Sequence, residues 1–220
     1  MESNVKVKIC GLTTSDTVQA AIAADTDYIG FVFFAKSPRY VTPQESTELA
    51  ELVPDTITKV GLVVDADDAL LDNIMSNGAI DMLQLQGKET PERVAKIKAK
   101  TGLPVMKAVG VLERSDLDVL DDYIGIADQL LIDAKPPKKA KLPGGNGLAF
   151  DWTILSEVTI SAPWMLAGGL TADNVAQALS VTGAAQVDVS SAVEHRLGEK
   201  DPSKIRTFIE NAKSRKSKHF

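Results

Sequence analysis

Short apolar runs alternate with longer amphipathic segments along the whole chain, and this alternation is the feature that most restricts its fold. Residues 5–12 open the series, since Val5, Val7 and Ile9 alternate with lysines at the period of two that is typical of a strand. Residues 28–34 are almost wholly apolar, as expected of a strand buried on both faces. Strands separated by segments of helix length indicate parallel βαβ units.

Eight such units predict an α/β fold, a single (β/α)8 TIM barrel that occupies residues 1–220 as one domain. A doubly wound open sheet is the competing fold, but it usually has a glycine-rich turn after its first strand, and here that turn reads Cys10-Gly11-Leu12-Thr13. Strands are predicted at 5–10, 28–34, 59–64, 81–85, 104–109, 129–132, 163–166 and 187–189. Helices are predicted at 15–25, 43–52, 67–76, 91–100, 115–123, from 151, at 171–179 and at 201–212.

Charge, hydropathy and cysteine content exclude several classes of function. A net charge of −6 argues against a nucleic-acid partner, because proteins that bind phosphate backbones concentrate Lys and Arg. No apolar run approaches the roughly 20 residues that span a bilayer, and residues 1–4 are too short and polar for a signal peptide, so no membrane association is expected. One cysteine cannot form an internal disulfide, which fits a reducing, cytoplasmic compartment. The basic segment 213–220 is interpreted as a frayed helix end.

Several chemically capable side chains follow predicted strands, where the active sites of such barrels lie. Each has an ordinary structural explanation when taken singly. A lone cysteine is often a small buried apolar residue, an acid after a strand is often a helix cap, and a loop arginine is often only solvated. Their joint placement on one rim favours a site that consists of Cys10, Arg39, Gln86, Asp133 and Asp188.

Glycines and serines at the last two strand ends predict a phosphate site. Gly168 and Gly169 allow close backbone approach, and a helix predicted from residue 171 offers free N–H groups and a positive dipole end. Ser190 and Ser191 add hydroxyls after the next strand, at the usual phosphate position of these barrels. A turn with ordinary helix caps is the simpler explanation, but the paired motifs favour a small phosphorylated substrate.

Six motifs occur in order along nearly the whole chain. They are Lys8-Ile9-Cys10-Gly11-Leu12-Thr13, Gly30-Phe31-Val32-Phe33 with Ser37-Pro38-Arg39-Tyr40, residues 131–133, residues 144–147 with Phe150-Asp151-Trp152, residues 167–170, and Asp188-Val189-Ser190-Ser191. Together they resemble the motifs of the phosphoribosylanthranilate isomerase family. This resemblance implies a TIM-barrel isomerase of tryptophan biosynthesis, an aromatic amino-acid pathway. It also implies an Amadori rearrangement of an aminoaldose to an aminoketose without metal or organic cofactor.

The resemblance also implies roles for individual residues. Asp133 would be the general acid that opens the sugar ring, and Cys10 the general base that takes the C2 proton. Arg39 would face the anthranilate carboxylate, and Gln86, Asp188 and Gly145 would also bind substrate. An acid at this position must stay partly protonated, which burial favours, and a thiolate base requires a depressed pKa.

Two positions depart from the family pattern, and alternatives stay open. Gln86 stands where the family has histidine, and Ala192 stands where it has glycine, so a barrel that only binds phosphorylated metabolites is one alternative. The other is the related isomerase of histidine synthesis, or an enzyme accepting both substrates, although those relatives typically use two aspartates. Histidine-based and metal chemistry are not expected, because His195 and His219 lie far from the early strand ends. We expect a monomer or homodimer, and a mobile cover at 135–146.

Overall fold

The computed structural model of the chain describes residues 5–135, 144–145, 150–156 and 158–214. Within them, eight parallel strands close into a barrel in sequence order, with β1 paired to both β2 and β8. The predicted (β/α)8 barrel is therefore confirmed. The strands are β1 Lys6–Cys10, β2 Tyr28–Val32, β3 Thr58–Val63, β4 Met82–Leu85, β5 Val105–Val111, β6 Gln129–Ala134, β7 Trp164–Leu166 and β8 Gln186–Val189.

Helices follow most strands and begin where the sequence supplies caps. Thr42 and Glu45 form a reciprocal capping box, and Pro43 occupies the first turn, where its missing N–H costs nothing. In the described chain the α-helices are α1 Ser15–Ala23, α2 Pro43–Ala50, α3 Asp68–Asn77, α4 Pro91–Thr101, α5 Val175–Thr182 and α6 Pro202–Lys213. Shorter 3₁₀ helices are Arg114–Asp122, Trp152–Leu155 and Ser191–Val193.

The segment after β5 differs from the α-helix predicted there. Its buried side chains are Leu117 and Leu120, three residues apart. A 3₁₀ helix has three residues per turn, so this spacing brings both leucines onto one face toward the core. The segment Arg114–Asp122 is accordingly 3₁₀ rather than α-helical.

The helix after β7 begins four residues later than predicted. Asn174 Oδ1 accepts a hydrogen bond from the Thr171 N–H at 2.7 Å, and its Nδ2 donates to the Gly169 carbonyl at 3.0 Å. These bonds hold the chain in a turn, and α5 starts only at Val175. The start of this helix is therefore further from the glycine pair than the sequence predicted.

Packing has two layers because successive strand residues point to opposite faces. Outward side chains such as Ile9, Phe31 and Leu85 pack against the helices in one large core. Alternate positions, including Val60 and Met165, form a second cluster that fills the barrel interior. The interior is thus a packed floor on which the polar residues of the strand ends rest.

An antiparallel hairpin that the sequence did not reveal follows β8. Its strands are β9 Glu194–Arg196 and β10 Glu199–Lys200. It brings Glu194 and Lys200 back against the ends of β1 and β8, where both side chains are buried. The hairpin therefore adds two charges to the rim of the barrel.

The ends and the long loop of the chain are only partly described. Helix α6 runs to Lys213, whose ammonium pairs with Asp25 at 2.6 Å, while residues 215–220 of the predicted tail lie outside the described residues. Most of the predicted cover, residues 136–143 and 146, lies outside them as well. Within the described ranges, no helix combines the length and apolar character needed to cross a membrane.

Candidate active site

Cys10 is the last residue of β1, and its thiol faces the barrel mouth. The residue is 4% exposed and pairs across the sheet with Gly30 of β2. A β-carbon at Gly30 would lie 3.1 Å from the Cys10 sulfur and 3.2 Å from the Lys8 ammonium. Since Lys8 and Cys10 are two residues apart on one strand, both project to the same side of the sheet.

Lys8 forms a buried ion pair with Asp188 of β8. The Nζ to Oδ1 distance is 2.8 Å, and the lysine side chain is fully buried. Burial acts to lower the pKa of Lys8, but the charges of Asp188 and then of Cys10 outweigh it and hold this pKa above its ordinary value. Lys8 is thus a permanent cation beside the sulfur.

The thiol of Cys10 does not have the depressed pKa that the sequence interpretation required. Burial raises its pKa above the ordinary value, and the carboxylate of Asp188 raises it further. Lys8 lowers it through charge and hydrogen bonding, as does the charge of Lys200, without reversing the net direction. In this structure Cys10 is therefore a thiol whose ionisation depends on nearby lysines.

Asp133 lies in β6, one residue before the strand ends. Its Oδ1 accepts from the Ala134 N–H at 2.8 Å, and its Oδ2 accepts from Gln86 Nε2 at 3.0 Å. Burial, followed by the charge of Asp188, raises the pKa of this carboxyl to about 7, against hydrogen bonds from Ala134 and Gln86 that lower it. The direction matches the expectation for a carboxyl that stays partly protonated near neutral pH.

Gln86 acts on the carboxyl and not on the thiol. Its amide nitrogen donates to Asp133, and its Oε1 accepts from Gln84 Nε2 at 2.7 Å. Gln84 is 1% exposed, and within the described structure its own Oε1 has no hydrogen-bond partner. The departure from the family's histidine therefore acts on the carboxyl of Asp133.

Arg39 is held by a carboxylate of the protein itself. Its Nε and Nη2 donate to the two oxygens of Glu194 at 2.6 and 3.2 Å, and Nη2 also donates to the Gly145 carbonyl at 3.4 Å. Lys200 donates to the same Glu194 at 2.8 Å. Burial acts to raise the pKa of Glu194, but the hydrogen bond from Arg39 and the charge of Lys200 outweigh it and lower this pKa. One edge of the guanidinium is thus occupied, and its Nη1 side faces Gly145.

Two cavities share the barrel mouth. The first, of about 430 Å³, is lined by the glycines after β7 and by Ser190, Ser191 and Ala192 after β8. The second, of about 480 Å³, is lined by Cys10, Arg39 and Gln86 and by apolar side chains. Asp133 and Asp188 line both, so the acid stands where the two cavities join. The apolar lining residues of the second cavity are Val32, Phe34, Leu62 and Val64.

The backbone of the first cavity requires glycine at one position in particular. Gly168 has φ of +82°, and a β-carbon there would lie 2.4 Å from the Ala134 nitrogen. Ala192 needs no such freedom, because among the described non-glycine residues only Asp25 and Asp65 have positive φ. Its β-carbon therefore causes no backbone strain, although it lines the cavity.

The two serines predicted to bind phosphate are not equivalent. Ser190 Oγ donates to the Cys10 carbonyl at 3.0 Å and receives Lys200 Nζ at 3.1 Å. Its hydroxyl proton is therefore already used within the protein. Ser191 begins the 3₁₀ helix Ser191–Val193 and lines the first cavity.

The structure brings every site residue predicted from the sequence to this mouth, where each lines one or both cavities. These residues are Cys10, Arg39, Gln86, Asp133, Asp188, Gly145, Gly168, Gly169, Ser190 and Ser191. Sequence reasoning missed Lys8, Glu194 and Lys200. The period of two contained a signal for Lys8, because it shares a strand face with Cys10. Among the described residues, no three His, Cys, Asp or Glu side chains cluster closely enough to hold a metal ion.

A carboxyl and a thiol line one cavity at the mouth of the barrel, an arrangement that is able to move protons on a single bound molecule. The fold and the site together are those of a (β/α)8-barrel enzyme. A family model described as N-(5'phosphoribosyl)anthranilate (PRA) isomerase matches residues 7–211. The chain therefore belongs to the N-(5'-phosphoribosyl)anthranilate isomerase family.

Individual relatives agree with the family assignment. An N-(5'-phosphoribosyl)anthranilate isomerase of Paracoccus denitrificans is 59% identical over 208 residues, which cover 94% of this chain and 97% of the relative. The crystal structure of phosphoribosyl anthranilate isomerase from Thermotoga maritima has a TM-score of 0.86 and 33% identity, covering 96% and 99% of the two chains. A second solved isomerase has a TM-score of 0.83 and 31% identity with the same coverage, and it is in complex with reduced 1-(o-carboxyphenylamino)-1-deoxyribulose 5-phosphate.

Proposed function

We propose that this aldose–ketose isomerase of tryptophan biosynthesis converts N-(5-phosphoribosyl)anthranilate to 1-(2-carboxyphenylamino)-1-deoxyribulose 5-phosphate by acid and base catalysis from Asp133 and Cys10. The observation that carries the proposal is the position of Asp133 at the junction of two unlike cavities, with Cys10 in the second. The relative that binds a reduced product analogue supports the same substrate class.

The two cavities suit the two ends of this substrate. The first offers glycine backbone at Gly168 and Gly169 and the start of the helix at Ser191, which are groups that bind phosphate oxygens. The second offers apolar walls for an aromatic ring, with Arg39 at its edge. A molecule that spans both cavities places its sugar beside Asp133.

Asp133 is the proposed general acid. With a pKa of about 7, a substantial fraction of this carboxyl carries a proton near neutral pH. The proton passes to the furanose ring oxygen, the bond from C1 to that oxygen breaks, and the lone pair of the anthranilate nitrogen forms the iminium. A fully ionised carboxylate has no proton to donate in this step.

Cys10 is the proposed general base. Its thiolate takes the proton on C2, the electron pair of that C–H bond forms the C1–C2 double bond, and the iminium π pair returns to nitrogen. The product of this step is an enamine without formal charge on nitrogen, which tautomerises to the aminoketose. Lys8 and Lys200 are the cations that favour the thiolate.

Arg39 is the proposed partner of the anthranilate carboxylate. Glu194 holds its Nε and Nη2, which fixes the guanidinium plane and leaves the Nη1 side toward Gly145 and the second cavity. A fixed guanidinium loses little side-chain entropy when it binds a carboxylate. Gln86 and Asp188 complete the walls around the sugar.

The test compares turnover and binding in matched variants. Cys10→Ala and Asp133→Asn are each expected to lower kcat by at least about a hundredfold, the usual contribution of general acid or base catalysis. Both variants are expected to bind the reduced product analogue within a few-fold of the natural protein. Lys6→Met, which changes an exposed residue of the same strand, serves as the control. Full turnover in either site variant contradicts the proposed mechanism.

The alternatives are separated by the same measurements. A barrel that only binds phosphorylated metabolites predicts binding of the analogue with no turnover in the natural protein. An enzyme that also serves histidine synthesis predicts turnover of that pathway's aminoaldose, which the assay includes as a second substrate. The cytoplasmic location and the monomeric or homodimeric state stay predictions, which fractionation and sedimentation would test.

A further inference from the structure

Lys8 is a fully buried charged group beside the proposed base, and no step of the proposed chemistry uses it directly. Its side chain has no exposed surface, and neither cavity is lined by it. Withdrawing an ammonium from water is strongly unfavourable unless other interactions compensate. Stability alone does not explain an ion pair at this position, because well-packed apolar residues often stabilise a protein interior equally well.

The surroundings of Lys8 place its charge beside the sulfur. The ammonium has three donors, of which one is bound by Asp188 Oδ1 at 2.8 Å. Gly30 has no side chain. The position that a β-carbon would occupy there lies 3.2 Å from Lys8 Nζ and 3.1 Å from Cys10 Sγ. Lys8 and Cys10 therefore meet over Gly30.

Charged groups on three elements face the Cys10 thiol. Lys8 on β1 and Lys200 on β10 favour its ionisation, whereas Asp188 on β8 opposes it. Lys8 has the largest effect of the three, and it adds a hydrogen bond to its charge. Asp188 thus has two opposite effects, since it holds the ammonium in place and also repels the thiolate.

We propose that Lys8 is the positioning residue of the base, a buried cation fixed by Asp188 that stabilises the Cys10 thiolate during removal of the C2 proton. Before the step, the ammonium balances the charge of the thiolate. During the step, the S–H bond forms as the C2–H bond breaks, and Lys8 keeps its proton throughout. The assignment rests on the proposed function of Cys10, but its test measures the thiol directly.

The thiol titration is a clean measurement because Cys10 is the only cysteine of the chain. The ultraviolet absorbance of the thiolate is followed against pH, and the signal of Cys10→Ala is subtracted to remove tyrosine ionisation. Lys8→Met is expected to raise the pKa of Cys10 by about 1 to 3 pH units, or beyond the range of folded protein, since a close opposite charge has an effect of that size. Asp188→Asn is expected to move it downward. Lys6→Met, exposed on the same strand, should leave it unchanged.

Turnover gives a second signature. Since Lys8 lines neither cavity, Lys8→Met is expected to lower kcat tenfold or more near neutral pH with KM nearly unchanged. The alkaline decline of kcat should move to higher pH, because the thiol of the variant ionises later. A purely structural role predicts neither the shifted titration nor this displaced decline.

A variant that fails to fold does not end the test. Lys8→Met leaves Asp188 buried without its partner, so the double variant Lys8→Met with Asp188→Asn, which removes both charges, is measured beside it. The pKa of Cys10 in the double variant should still lie above that in the natural protein, because the lowering effect of Lys8 that is lost is larger than the raising effect of Asp188. An unshifted thiol pKa in whichever of the two variants folds overturns the inference. If Cys10→Ala retains turnover, the proposed base is wrong while the titration result stands by itself.

Discussion

Replacing Asp133 by asparagine should make the folded protein more stable at alkaline pH and less stable at acidic pH. The natural carboxyl is partly buried, and its pKa is raised to about 7 from an ordinary value of 3.8. Between these two pH values the folded chain holds a proton that the unfolded chain has released. Stability therefore falls as pH rises through this window, and the loss is complete above about pH 7.

The size of the effect follows from the same two values. Each pH unit between 3.8 and about 7 is worth about 1.4 kcal/mol, so the ionised carboxylate costs at most about 4 kcal/mol above the window. Asparagine avoids this cost but presents an N–H toward Gln86 Nε2, and Gln86 Oε1 is already bound to Gln84. That mismatch costs about 1 to 2 kcal/mol at every pH. The loss reaches the size of this mismatch about one pH unit above 3.8, so the two effects together predict a crossing near pH 5.

The assay is urea unfolding of the natural protein and of Asp133→Asn at half-unit steps from pH 4 to pH 8.5. The difference between the two free energies of unfolding removes the contributions of all other titrating groups. We expect Asp133→Asn to be about 1 kcal/mol less stable at pH 4 and about 2 to 3 kcal/mol more stable at pH 8.5. Ser115→Ala, at an exposed and non-titrating position of the 3₁₀ helix, is the control and should give a flat difference.

The outcome that refutes this reasoning is specific. A difference that does not change with pH would mean that Asp133 has the same affinity for a proton in the folded and unfolded chains. A difference of opposite slope, with the natural protein gaining stability as pH rises, would mean that hydrogen bonds to the carboxylate outweigh its burial. Either result would also remove the physical basis for Asp133 as an acid near neutral pH.

Three further predictions concern the rest of the mouth. Gly168→Ala should raise KM and cost about 2 kcal/mol or more in urea unfolding, because positive φ and a 2.4 Å contact act together; Gly183→Ala, with φ of +70° and open space around it, should cost only about 1 kcal/mol. Glu194→Ala should cost about 3 to 5 kcal/mol of stability, since it leaves buried cations unpaired, whereas Glu199→Ala in an exposed pair should leave urea unfolding nearly unchanged. The profile of kcat/KM against pH should rise to a plateau near pH 7, where Asp133 titrates, and fall again where the thiol ionises; activity that declines from pH 6 to pH 8 would contradict this.

Much of the fold could be predicted because its signals are local. The apolar run in β2, the alternation in β1 and the threonine and proline caps of α2 and α4 depend on neighbouring residues alone. Two features were not predicted. The 3₁₀ form of Arg114–Asp122 depends on packing, and the late start of α5 depends on the side chain of Asn174.

The site was predictable only where strand ends identify it. Every residue placed after a strand does reach the mouth, because parallel strands end on one rim. Glu194 and Lys200 escaped prediction because they return to the rim through a hairpin beyond the last strand. The raised pKa of Cys10 escaped it too, since burial of the thiol by surrounding strands leaves no trace in the sequence near residue 10.

The two raised pKa values together set the state in which the enzyme must work. The proposed reaction needs Asp133 protonated and Cys10 ionised, yet the carboxyl loses its proton near pH 7 and the thiol keeps its own to higher pH. Between those values the site holds one proton, mostly on sulfur, and the reactive arrangement has it on the carboxyl instead. For each unit by which the pKa of the thiol exceeds the pKa of the carboxyl, that arrangement becomes tenfold rarer. Lys8 lowers the pKa of the thiol, which narrows the separation between the two pKa values, and its lowering effect on Asp133 is the weakest of those that act on that carboxyl. Asp188 raises the pKa of both groups, so it favours the protonated acid and opposes the thiolate. Within this ion pair, the cation is therefore the charge that increases the population of the reactive form.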